Sequence, residues 1–165
     1  MISKILNIAG VVLMSAVILI VLPLTVPKLF GCEIYGILTE SMRPEYPPGC
    51  VVYIKKADAS EIQKGDAITY KMGTNTDLVT THRVVKVDNE KQQFITKGDA
   101  NRSVDADPVS FDRLIGKVVF KLPLLGSISA YLHTTVGMAV CAAIFVTAMI
   151  LWVLADKMKS KESVK

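Results

Sequence analysis

Ser41 stands in the stretch GILTESMRPEYPPGC (Gly36 to Cys50), between Glu40 and Met42 and just ahead of Pro44, Pro47 and Pro48. A serine hydroxyl is a poor nucleophile at neutral pH and needs a base within hydrogen-bond reach before it attacks a carbonyl. The chain has two histidines, His82 and His133. His133 lies at the mouth of an apolar run, where an amphipathic ring suits an interface, so His82 is the imidazole left for Ser41. A neutral imidazole is suited to take the serine proton, although a lone histidine in a strand is more often structural than catalytic. The three prolines limit the conformations of the loop beside Ser41, so less chain entropy is lost in holding the hydroxyl for attack. An ordinary exposed turn would use the same residues.

A serine and a histidine separated by forty residues meet only if a rigid frame brings them together. Short runs rich in Val, Ile, Thr and Tyr supply it: CVVYIKKA, DAITYKM, DLVTTHRVVKV, QQFITKGD and LIGKVVFKL, separated by Gly, Asp, Asn and Pro. Val87 to Phe94 reads as the turn of a hairpin joining the strand of His82 to the strand leading into KGD. Ala57 to Asp66 is too short for more than one helical turn, and no long helical period appears in this region. The expected fold class is mainly β.

Apolar residues make up 51% of the 165 and the mean hydropathy is positive, more than a core of this size uses. Ile5 to Val26 and Thr134 to Ala155 are each 22 residues without a charge, and a helix needs about 20 to cross hydrocarbon. The expected organisation is a transmembrane helix over 1–27, a β domain over 28–133, a second transmembrane helix over 134–155 and a basic, disordered tail over 156–165. Lys4 ahead of the first run also suits a signal peptide, but such apolar regions span about 7–15 residues, and no Ala-x-Ala-like site follows. The LFGC stretch ending at Cys32 raises a lipoprotein reading, which the long preceding run with Pro23 and Pro27 opposes. Lys157, Lys159, Lys161 and Lys165 after the second run, with Lys4 before the first, place both termini in the cytoplasm and the domain outside. Between Lys28 and His133 there are 14 basic and 13 acidic residues, which excludes a nucleic-acid surface built on clustered cations.

In order, TESMRP (Thr39 to Pro44), KGDAITYK (Lys64 to Lys71), THRVVKV (Thr81 to Val87) and TKGDANRSVDADP (Thr96 to Pro108) resemble the type I signal peptidases. The resemblance is to their ER-type branch, found in endoplasmic reticulum, archaea and some Gram-positive bacteria, where histidine stands in place of the lysine of housekeeping bacterial enzymes. It covers the whole exported domain. It implies a signal-peptidase-like β domain flanked by two transmembrane helices, and a membrane-bound serine endopeptidase acting on signal peptides of secretory preproteins. The lipid bilayer and the translocation machinery are its expected partners, with no cofactor and no metal. The backbone N–H of Ser41 and the hydroxyl of Thr39 are the expected oxyanion donors. Asp105 is the expected partner of His82 and Asp99 the support of the loop, with these two roles open to exchange. Asp107 is displaced, because the chain spaces its acids as Asp-Ala-Asp where some relatives have adjacent aspartates. As ordinary structure, Asp99 after Gly98 suits a turn and Asp107 before Pro108 suits a loop.

Thirteen residues separate Lys28 from Ser41, so the extended tether reaches no more than about 45 Å from the bilayer. An extended substrate is expected to add as a strand to an exposed edge of the domain. Cys141 reads as apolar packing, while Cys32 and Cys50 share the exported part, where pairing is open. Two other readings stand: a self-cleaving protease of related fold, which two membrane spans fit poorly, and a catalytically silent membrane-anchored β module that binds or scaffolds partners.

Overall fold

The computed structural model describes residues 2–73 and 76–163. The expected β domain is one antiparallel sheet of seven strands: β1 (Cys32–Gly36), β2 (Val51–Lys55), β3 (Ala67–Lys71), β4 (Val79–Asp88), β5 (Gln93–Lys97), β6 (Val109–Ser110) and β7 (Leu114–Leu122). Their order across the sheet is β1-β2-β7-β3-β4-β5-β6. The Val-, Ile- and Thr-rich runs supply the strands because branched side chains pack well on a pleated surface. β4 and β5 form the expected hairpin, with Asp88 opposite Gln93.

The sheet curls. Register shifts against β7 at Tyr53/Ile54 and at Thr69/Tyr70, and in the β4–β5 pair at Val84/Lys86, are bulges, which bend a strand and increase its twist. Both of its faces are covered over β2 and β3, where four consecutive residues of each strand are buried. One apolar cluster joins Ile62, Ile68, Tyr70, Val84, Phe94 and Val109; the other joins Ile37, Cys50, Val52 and Ile54. The period of two along β4 puts His82 on the face of Val84, at the margin of the first cluster.

Two sequence expectations change and one open question closes. An eight-residue helix, α2 (Leu125–Leu132), follows Pro123 within the 28–133 segment read as a β domain without a long helical period. Leu125, Ile128 and Leu132 carry its spacing, and the Gly49 carbonyl accepts from the Gly126 and Ser127 amides at its start (3.0 and 3.3 Å). Gly49 itself has φ +81°, a region where side chains are strained. The helix α3 (Thr135–Ser163) runs past Ala155 through most of the expected disordered tail, because the Lys, Met and Glu residues there favour helix and neither Gly nor Pro interrupts them; 164–165 lie outside the described residues. Pairing of Cys32 with Cys50, open in the sequence, does not occur. Cys32 faces Lys55 across β1 and β2 while Val51, next to Cys50, faces Gly36 at the other end, a separation of about 17 Å along the strand and far beyond disulfide reach. All three cysteines are free thiols.

The terminal helices form a unit of their own. The helix α1 (Ile2–Leu29) continues through Pro23 and Pro27, since a proline that removes one amide donor kinks a helix more readily than it ends one. Its apolar window is 6% buried and that of α3, within Thr135–Lys159, is 11% buried. Core helices of a soluble protein would be mostly covered, so these are candidate membrane spans by length, composition and exposure. Their contact uses small residues: Ala148 is fully buried, and a side chain at Gly10 would run into the Trp152 indole.

Phe94, fully buried and stacked on Phe111 with ring centroids 4.5 Å apart, anchors the first cluster. Phe94→Ala is expected to destabilise the β domain by about 3–5 kcal/mol, read as a lowered denaturation midpoint of the detergent-solubilised chain.

Candidate active site

Ser41 is the middle residue of a single 3₁₀ turn, Glu40–Met42, that follows β1 and packs against β4. Met42 beneath it is 1% exposed and pins the turn to the domain, leaving Ser41 partly exposed. Thr39 precedes the turn without capping it; its hydroxyl instead lies 3.1 Å from Ser41 Oγ. Among the described residues, the Ser41 hydroxyl meets the Thr39 hydroxyl and the His82 imidazole, and no lysine.

His82 projects from β4 with Nε2 3.2 Å from Ser41 Oγ and Nδ1 2.6 Å from Asp105 Oδ2. An ionised carboxylate only accepts, so Nδ1–H donates to it and Nε2 presents its lone pair to the serine. The imidazole and the carboxylate are 13% and 19% exposed, sheltered enough for their bond to be strong and open enough on one side for a substrate. The carboxylate has two further donors: Thr96 Oγ1 at 2.6 Å and Tyr70 Oη at 3.4 Å. Burial is the main cause that pushes the Tyr70 phenol up to about 12, so it stays a hydroxyl at neutral pH.

Asp99 lies elsewhere. Its two oxygens accept from Nε and Nη2 of Arg83 at 2.7 and 2.6 Å, and Arg83 Nη1 donates to the Gly65 carbonyl at 2.8 Å. The paired carboxylate raises the guanidinium above its ordinary value, an effect of charge-assisted hydrogen bonding. This fork fixes the KGDAN loop, whose Ala100 amide donates to the Ser41 carbonyl at 2.8 Å. A side chain at Gly98 would stand 2.7 Å from that same carbonyl, so only glycine lets the loop come so close. Asp107 is exposed and outside these networks, and His133 donates from Nδ1 to the Ser129 carbonyl at 2.8 Å.

The proline-rich loop is held from outside as well. Tyr46 lies under two cations, with Lys121 Nζ 5.2 Å and the Arg83 guanidinium 6.0 Å from its ring centre. Lys121 also binds the Glu45 carbonyl and carboxylate, both at 2.6 Å. Arg83, Tyr70, Thr96 and Tyr46 are the site residues to which sequence reasoning assigned no role. Arg83 follows His82 and Thr96 precedes KGD by one residue, so the motifs contained them without signalling their contacts.

Beside Ser41 a cleft of about 430 Å³ runs between Tyr35 to Thr39 on one side and Asp77 to Thr81 on the other, with Met42 at its base. Its two walls are free strand edges. Among the described residues, β1 pairs only with β2, and β4 pairs with β5 only from Arg83 onward, so Val79 to His82 have a partner on the β3 side alone. The arrangement can hold an extended chain and deliver an activated hydroxyl to it.

No family model matches the chain. Signal peptidase I W of Bacillus subtilis (strain 168) is 37% identical to it over 101 residues, 59% of this chain and 52% of the relative. The similarity points to the type I signal peptidases. The chain spans about half the length of the signal peptidase it matches. Two candidate membrane helices and a mainly β domain are in keeping with that similarity.

The Arg83–Asp99 fork and the close approach at Gly98 should be needed for stability. Asp99→Asn and Arg83→Lys each lose charged, two-point bonding and are expected to cost about 1–3 kcal/mol, read as a lower thermal midpoint of the solubilised chain.

Proposed function

We propose that the chain is a membrane-bound serine endopeptidase that removes signal peptides from exported preproteins, with Ser41 as nucleophile, His82 as general base and Asp105 as the acid that orients it. The observation that carries this reading is the unbroken line from Ser41 Oγ through both ring nitrogens of His82 to Asp105, at 3.2 and 2.6 Å, opening on a cleft with two free strand edges. The absence of a lysine partner for Ser41 among the described residues favours the Ser-His form of the chemistry.

In the reaction, Ser41 Oγ attacks the scissile carbonyl while its proton passes to His82 Nε2; the carbonyl π electrons move onto oxygen. The Ser41 N–H and the Thr39 hydroxyl stabilise that oxyanion. The carbonyl re-forms, the C–N bond breaks, and Nε2–H gives its proton to the leaving amine. A water then gives a proton to Nε2 and attacks the Ser41 ester; the C–Oγ bond breaks, Ser41 Oγ takes that proton back from Nε2, and the signal peptide leaves with its new carboxyl terminus. Asp105 stays ionised throughout, keeps the other proton on Nδ1 and stabilises the imidazolium. The peptide lies extended in the cleft as an added strand, with exposed Leu38 and Leu78 beside its apolar part.

Both termini are assigned to the cytoplasm from the basic excess of the flanks, and the β domain to the outer side. There it meets preproteins that are still anchored in the bilayer as they leave the translocation machinery.

Co-expression with a tagged preprotein tests the reading. Ser41→Ala and His82→Ala are expected to lose processing by at least about 10⁴-fold, as members of one unit, and Asp105→Asn by on the order of 10⁴ with folding unchanged. Processing by Ser41→Ala at the original rate would end the proposal. A separate check is topology: reporters at Lys4 and Lys165 are expected to read as cytoplasmic, and external protease to reach the β domain; a cytoplasmic domain would contradict the assignment.

A further inference from the structure

Asp105 is reached by more donors than a mere orienting acid needs. Its Oδ2 takes His82 Nδ1–H, the Thr96 hydroxyl at 2.6 Å and the Tyr70 hydroxyl at 3.4 Å, while Tyr70 and Thr96 lie 3.3 Å apart. The three groups come from three strands, β4, β5 and β3, which the register places side by side: His82 faces Ile68 two residues before Tyr70, and Thr96 faces Val84 two residues after His82. Thr96 is 1% and Tyr70 6% exposed. A threonine hydroxyl buried that deeply in a strand must find an acceptor or cost stability, and among the described residues the one to which Thr96 clearly donates is the carboxylate.

Thr96 also grips Asp105 a second time. Its carbonyl accepts from the Asp105 amide at 2.9 Å, so one residue fixes both the backbone and the side chain of a residue that otherwise sits in an irregular loop. The charged groups around the cluster are few: His82 on β4, Asp105 itself, and Arg113, whose charge is felt at Tyr70 and whose guanidinium is bound to the Met72 and Pro108 carbonyls.

We infer that Thr96 and Tyr70 are positioning residues of the reaction, their hydroxyls holding the Asp105 carboxylate in the rotamer that keeps the His82 proton on Nδ1 and Nε2 free for Ser41. This rests on the peptidase reading above for its kinetic consequence, but not for its geometric one. Thr96 is the principal support because its bond is short; Tyr70 is the weaker, because 3.4 Å is long for an O–H donor. The task is orientation in a loop: among the described residues, the two hydroxyls and the imidazole are what bind the Asp105 side chain.

The experiment compares Thr96→Val, which keeps shape and removes the hydroxyl, with Thr96→Ser, which restores it, and with Tyr70→Phe. Two readouts are taken on the full-length chain in detergent: preprotein cleavage, split into kcat and KM, and the proton NMR signal of His82 Nδ1–H, shifted downfield by its bond to a carboxylate. Thr96→Val is expected to lower kcat about 10- to 100-fold with KM unchanged, the loss of one hydrogen bond to a charged group. Its Nδ1–H signal should move upfield or broaden, and Thr96→Ser should recover both. Tyr70→Phe should lower kcat about 2- to 5-fold, in line with its longer bond. A folded Thr96→Val with full kcat and an unmoved signal, or a Thr96→Ser that recovers neither, would overturn the inference. Should Thr96→Val fail to fold, the Thr96→Ser and Tyr70→Phe signals decide it: a Tyr70→Phe signal identical to wild type would overturn it. A wild-type chain that cleaves no preprotein removes the peptidase reading alone, since the Nδ1–H signal still reports whether the hydroxyls hold the pair.

Discussion

A single imidazole with both nitrogens engaged is the constraint on which the rest of this structure depends. His82 must reach Asp105 from Nδ1 and Ser41 from Nε2 at once, and neither contact survives a ring rotation or a strand shift. Residues 41, 82 and 105 belong to a turn, a strand and a loop, so the tolerance of a few tenths of an ångström has to come from the frame. The curled sheet provides it. Two bulges in β7, at Ile115 and Val119, and one in β4, at Val85, bend the sheet, and the turn after its first strand comes to pack on β4, four strands away in the order.

Around that imidazole, stability and function share the same contacts. The Asp99–Arg83 fork is an ion pair in form, yet its effect is to seat the KGDAN loop so that Ala100 binds the Ser41 carbonyl. Arg83 at the same time lies over Tyr46 and steadies the proline-rich loop on the far side of the serine. The prolines beside Ser41 therefore act with Tyr46, Glu45 and Lys121 rather than alone. The cleft, in contrast, is bounded by backbone left unpaired. Such edges usually invite aggregation, and here they border the Ser41 hydroxyl.

What the sequence made legible was periodic or chemically singular. Alternating β-branched runs gave five of the seven strands and the β4–β5 hairpin, and two charge-free runs gave the long helices. The two-residue β6 is too short for a pattern, β1, Cys32–Gly36, is as long as β2 but holds a single β-branched residue, Ile34, and α2 hid its three apolar positions behind Pro123 and Leu124. The continuation of α3 into the basic tail is not legible in the sequence, because a run of charged residues suits a disordered tail as well as it suits a helix of high propensity. For the site, His82 stood out as one of two histidines, while Ser41, one of ten serines, was marked by the TESMRP motif around it. The distinction between Asp99 and Asp105 depends on which loop position faces His82, a tertiary fact; the structure brings Asp105 to the imidazole and Asp99 to Arg83. Thr96 and Tyr70 look like strand residues in any linear reading, and only the β3–β4–β5 register reveals their common target.

The central claim, that His82 activates Ser41, is most directly tested by the rate at which a fluorophosphonate labels the full-length chain, with the modified residue located by mass spectrometry. The account expects a single adduct on Ser41 in the wild type and a fall of at least about 10³-fold in its rate of formation in His82→Ala, the loss of general-base assistance. An adduct on a different serine, or Ser41 labelled as fast without the imidazole as with it, would contradict the account.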